Sequence, residues 1–61
     1  MVDEAKVKEA TADCLAAVQH SSDPKATINE FCEVLMHHKG WSDVDAAVVR
    51  LRVRRSLFPP R

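Results

Sequence analysis

The side chains able to do chemistry in this chain are two cysteines (Cys14, Cys32), three histidines (His20, His37, His38) and five arginines crowded between Arg50 and Arg61. A structural zinc site needs thiolates and imidazoles that converge, as in a C-x-x-C pair or in residues three or four apart on a helix. No two of the cysteines and histidines have that spacing, and adjacent His37 and His38 point about 100° apart on a helix. No metal ligand set is expected. A catalytic cysteine would have to be exposed beside a base that lowers its pKa. Cys14 and Cys32 instead fall on apolar helical stripes, as small core residues do. With a single glycine in the chain, no phosphate-cradling loop of the P-loop or dinucleotide type can be built. The carboxylates are spread singly over polar positions, so paired-carboxylate catalysis has no pocket to occupy. The expectation is a protein that is not an enzyme and carries no cofactor.

The arginines lie in "VVRLRVRRSLFPPR", residues 48–61. Within it "RVRRS" has the R-x-R-R pattern of a basic-pair convertase site, which needs the secretory route. "RRSL" offers Ser56 to a basic-directed kinase, and a phosphate there would oppose the local positive charge. Arginines also suit nucleic-acid phosphates. Against that reading, Arg50, Arg52, Arg54 and Arg55 are scattered round a helix, with no aromatic residues interleaved for base stacking. The plainest account has them solvating the helix and pairing with Glu9, Asp13, Glu30 or Glu33 on its neighbours.

Three segments must position these groups. From about Asp3 to His20, residues Val7, Ala10, Thr11, Cys14, Leu15 and Val18 recur at the spacing of one helical face. Asp23-Pro24 is a strong helix start, with a capping carboxylate followed by a proline that loses no needed donor. From there Ile28, Phe31, Cys32, Leu35 and Met36 form a second stripe up to about residue 38. Gly40 can take the left-handed conformation that ends that helix. Ser42 then caps a third helix over 43–57, with Asp45 completing a capping box and Trp41 packing over Ala46 as a staple. The alternation in residues 48–54 also suits a strand, but no other segment alternates to pair with it, and an unpaired edge invites aggregation.

The third helix is apolar on two sides. Val44, Ala47, Val48, Leu51 and Phe58 follow one side, expected to face the core. Ala46, Val49, Val53 and Leu57 form a stripe roughly opposite. Either the helix sits centrally and buries both, or the second stripe stays open for a partner. On the latter expectation the partner-binding residues are Val49, Val53 and Leu57, with Arg50 and Arg54 beside them.

"EAKVKEATADCLAAV", residues 4–18, resembles the second helix of a HEAT-type repeat. More widely, "EAKVKEAT", "INEFCEVL" and "DAAVVRLRVR" resemble the first helices of the VHS domains of clathrin-associated adaptors. Both families are α-superhelices that bind peptides or proteins, so the resemblance implies an interaction role in trafficking or scaffolding. This chain has extra residues between the first two words and ends where such domains add further helices, so no binding residue carries over. Fewer than three repeats seldom stand alone as a solenoid.

Composition sets the frame. Sixty-one residues, 46% hydrophobic and 30% charged, make one small globular domain with a stability of about 3–5 kcal/mol. Net charge is zero but polarised. Residues 1–45 hold nine acids and four lysines (−5), and residues 46–61 hold five arginines and no acid (+5). No apolar run approaches the roughly 18 residues that span a bilayer, and the charged N-terminus is unlike a signal peptide. The chain is therefore expected to be intracellular, cytoplasmic or nuclear, with free thiols and no membrane insertion.

The expected fold is all-α: a compact antiparallel three-helix bundle over residues 1–58 with a tail at 59–61. The expected function is protein–protein interaction or self-association through the third helix, with another protein or a second copy as partner. The alternative is a small nucleic-acid-binding domain using the same arginine-rich helix.

Overall fold

Each amphipathic segment becomes a helix because its start carries a side chain that takes up an otherwise free amide hydrogen. In the computed structural model, which describes residues 2–59, α1 spans Glu4–Gln19, α2 Pro24–His37 and α3 Asp43–Leu57. Asp3 caps α1 by accepting from the Lys6 amide at 3.0 Å. Asp23 caps α2 by accepting from the Ala26 amide at 3.2 Å, and Pro24 opens the helix. Ser42 caps α3 through the Asp45 amide at 3.2 Å.

The capping box at Ser42 closes differently from expectation. The Asp45 carboxylate accepts from the Ser42 hydroxyl at 3.0 Å and from the Val2 amide at 3.4 Å. Aspartate is one methylene shorter than the glutamate such a box normally uses. Here it ties Val2, just ahead of α1, to the start of α3.

The two connections are short and differ in kind. Between α1 and α2, the Ser21 hydroxyl accepts from the Asp23 amide at 3.1 Å and from the Thr27 hydroxyl. Between α2 and α3, Gly40 sits at φ 71°, a conformation glycine adopts without a Cβ penalty. The Trp41 amide then donates to the Leu35 carbonyl at 2.9 Å, folding the turn back onto α2.

All three helix pairs are in contact, and among the described residues there is no strand. The fold is the all-α three-helix bundle, with α2 antiparallel to both neighbours. A radius of gyration of 10.9 Å matches the roughly 10.5 Å of a compact chain this long. The core is small and aliphatic: Val7, Ala10, Cys14 and Val18 from α1, Ile28, Cys32 and Leu35 from α2, Ala46, Val49 and Val53 from α3. Phe31, Met36, Trp41 and Leu57 pack around its edge.

That core corrects the expected orientation of α3. Val49 and Val53, expected to face a partner, are both 0% exposed, and Ala46 is buried beside them. The stripe expected inside lies outside: Val44 is 72% exposed, Leu51 51% and Phe58 58%. The reason is charge. On the Val44–Leu51–Phe58 side, Arg54 and Arg55 fall in the gap between Leu51 and Phe58, so turning that side inward would bury a guanidinium. The Ala46–Val49–Val53–Leu57 stripe runs to the last turn without a charge on its centre line. Desolvating an unpaired cation costs far more than leaving a leucine and a valine wet.

Candidate functional site

The outer side of α3 is the first feature able to meet a partner. Val44, Leu51 and Phe58 are spaced seven apart, with Ala47 exposed between them and Val48 half-buried. Seven residues are close to two helical turns, so these side chains form one seam along the helix. Fifteen residues of α3 give that seam a length of about 22 Å. Its ends differ in charge, with Asp43 and Asp45 in the first turn and Arg54 and Arg55 in the last.

Of the five residues expected to bind a partner, Val49 and Val53 are core and Leu57 is half-buried against it. Arg50 and Arg54 alone reach the surface, and they do so together. They line a cleft of about 110 Å³ between α2 and α3 with Lys25, Ile28 and Asn29. Lys25 and Arg54 also border a wider, more open groove of about 530 Å³ with Arg55 and Phe58. The arginines are spread round α3, but Arg50 and Arg54 sit one turn apart on one side of it, and α2 delivers Lys25 to that side. Sequence periodicity within α3 cannot show a cation contributed by another helix.

Arg52 has a separate role. Its guanidinium makes a two-pronged contact with the Glu4 carboxylate, the second hydrogen bond measuring 2.9 Å. This hydrogen bond holds the Glu4 carboxyl below its ordinary pKa and raises that of Arg52. Glu4 was not among the acids expected to meet the arginines. Of those acids, Glu33 lies 3.7 Å from His37 on its own helix instead. Arg50, Arg54 and Arg55 have no carboxylate partner among the described residues, and Arg61 lies outside them, as does Pro60 of the expected tail.

The thiols are interior. Cys14 and Cys32 are free and buried, and the Cys32 Sγ donates to the Ala46 carbonyl at 3.6 Å. Burial pushes the Cys14 thiol up to about 11, with the nearby Cys32 adding to the shift. Such a thiol stays protonated and is a poor nucleophile. Among the described residues no three His, Cys, Asp or Glu side chains are grouped to hold a metal, and no helix is long and apolar enough to cross a membrane.

A second concave surface, about 300 Å³ between α1 and the Phe31–Trp41 edge, mixes Lys6 and Lys39 with Glu9 and Asp13. Its charges cancel, whereas the α2–α3 cleft and the groove beside it are lined by cations without a carboxylate. Comparison of the chain with protein-family models, with curated proteins and with solved structures finds no match in any of the three.

Proposed function

We infer that this chain is a non-enzymatic helical interaction module that pairs with a second copy of itself through the outer side of α3. The observation that carries this reading is the exposed seam of Val44, Leu51 and Phe58, on a helix whose opposite face already fills the core. Exposed apolar residues are ordinary when scattered singly; aligned on one helix they mark a contact surface.

Charge argues for a second copy in antiparallel arrangement. With Leu51 against its own copy, Val44 meets the partner's Phe58, and the acidic first turn of each α3 lies beside the basic last turn of the other. The helix dipoles also oppose favourably. Parallel pairing would bring Arg54 and Arg55 of both copies together. We read the module as cytoplasmic or nuclear, supported by its two unpaired, buried thiols.

Sedimentation equilibrium over a range of protein concentrations, in reducing buffer, tests the reading. The native chain is expected to show a concentration-dependent dimer, and Leu51→Asp a folded monomer with an unchanged helical circular dichroism spectrum. A native chain that stays monomeric up to millimolar concentration would overturn self-pairing and leave the seam to a helix of another protein.

A further inference from the structure

We propose that the cleft between α2 and α3 is a binding site for a single phosphoryl group, presented on a phosphorylated side chain of a partner peptide. Lys25, Arg50 and Arg54 converge on a space of about 110 Å³ whose other lining residues are Ile28 and Asn29, with no carboxylate among them. Lys25 stands in the first turn of α2, where the helix dipole already disfavours a cation. Concentrating further positive charge there opposes stability, and a fold retains such a conflict most readily where a ligand relieves it.

Arg50 gives the independent observation. Its Nε is buried and has no hydrogen-bond partner, although a buried donor left unpaired is costly. Because that Nε is closed to solvent, Arg50 would offer its two terminal nitrogens as the fork that matches two oxygens of a phosphoryl group, and the anion's charge close by would offset the unpaired Nε. Arg54, four residues on, and Lys25 from the facing helix supply charge to the remaining oxygens. Asn29 adds a neutral donor.

The size of the site selects the form of the ligand. The cationic lining is compact and belongs to two helices, so it matches one dianionic group rather than the successive phosphates of a nucleic-acid strand, which need a basic track. The adjoining groove of about 530 Å³, with Phe58 on its border, has room for an apolar side chain next to the phosphorylated residue. Recognition of a phosphorylated side chain by clustered arginines is an established mode of peptide binding.

The test follows the amide and arginine Nε resonances of the full chain while inorganic phosphate is added, with sodium chloride of equal ionic strength as the control. Expected are saturable shifts confined to residues 25–29 and the Arg50 Nε–H, weakened about tenfold in Arg54→Gln or Lys25→Gln, the loss of one charge-assisted contact. Shifts that are unsaturable, or equal to those from chloride, overturn the site. A short peptide with one phosphoserine followed by leucine should then bind at least about tenfold tighter than its unphosphorylated form. Equal binding of the two peptides overturns the peptide assignment. So does a single-stranded octanucleotide that binds tighter per phosphate, with a steep salt dependence. Leu51→Asn, which breaks the seam without placing a carboxylate beside Arg54, should bind phosphate at least as tightly as the native chain, whose Arg54 would face the partner's acidic first turn, so failure of self-pairing and failure of this site are separable.

Discussion

At the scale of single residues, the core is made of side chains that seldom fill cores alone: an alanine and a cysteine from α1, a cysteine from α2, and an alanine and two valines from α3 form much of it. Small residues let helices approach closely, and they also make each thiol hard to reach. The raised pKa of Cys14 has a consequence for stability. In the unfolded chain the thiol loses its proton near pH 9, whereas in the folded chain it keeps it to about 11. The folded state therefore binds the extra proton, and its stability is full below pH 9 and falls as pH rises toward 11. For a difference of this size the loss reaches about 2–3 kcal/mol. Urea midpoints measured from pH 7 to 10.5 should fall steeply above pH 9, and Cys14→Ala should lack that component. Glu4 works in the opposite sense. Its pKa is lowered by Arg52, so its contribution is present at neutral pH and is lost as acid protonates the carboxylate. Glu4→Gln should lower the melting temperature at pH 7, and its difference from the native chain should shrink as acid protonates the Glu4 carboxylate of the folded state.

At the scale of elements, helix caps and helix faces make separable contributions. Asp23 satisfies one amide of α2 from an exposed position, so Asp23→Ala should cost about 1 kcal/mol and lower the melting temperature by roughly 4–8 °C. The two faces of α3 predict opposite outcomes for the same chemical change. Val53 is 0% exposed, and an aspartate there would be a buried, unpaired charge. That penalty exceeds the roughly 3–5 kcal/mol available to a domain this small, so Val53→Asp should be unfolded by circular dichroism. Leu51→Asp, two residues away on the exposed side, should keep its helical spectrum. If both variants fold, or both unfold, the assignment of inner and outer faces is wrong.

At the scale of the whole molecule, the uneven charge of the chain acquires a geometry. Glu4 neutralises Arg52 across α1 and α3, while Lys25, Arg50, Arg54 and Arg55 gather where the start of α2 meets the end of α3. The acidic first turn of α3 lies at its other end, which gives the outer seam a polarity as well as an apolar surface. Cross-linking reads that polarity. In the antiparallel pair Leu51 sits on the symmetry axis, so Leu51→Cys should form a disulfide-linked dimer on mild oxidation. Val44→Cys should not, since fourteen residues of rise separate the two copies of that position by about 21 Å. Rapid cross-linking through Val44→Cys, with none through Leu51→Cys, would indicate parallel pairing.

What the sequence by itself determined was local. The caps at Asp23 and Ser42, the glycine that ends α2, and the inner faces of α1 and α2 follow from neighbours within a few residues, because hydrogen-bond capping and helical periodicity are short-range. The three-helix architecture follows from those elements and their short connections. The inner face of α3 was legible only in part. Both of its stripes are apolar, and the deciding signal, Arg54 and Arg55 interrupting the stripe between Leu51 and Phe58, lies in the last turns rather than in the apolar pattern. The cluster of Lys25 with Arg50 and Arg54, and the pairing of Arg52 with Glu4, were not legible at all. They join residues 25 and 48 positions apart or more in the chain, and only the packing of α2 and α1 against α3 brings them within reach.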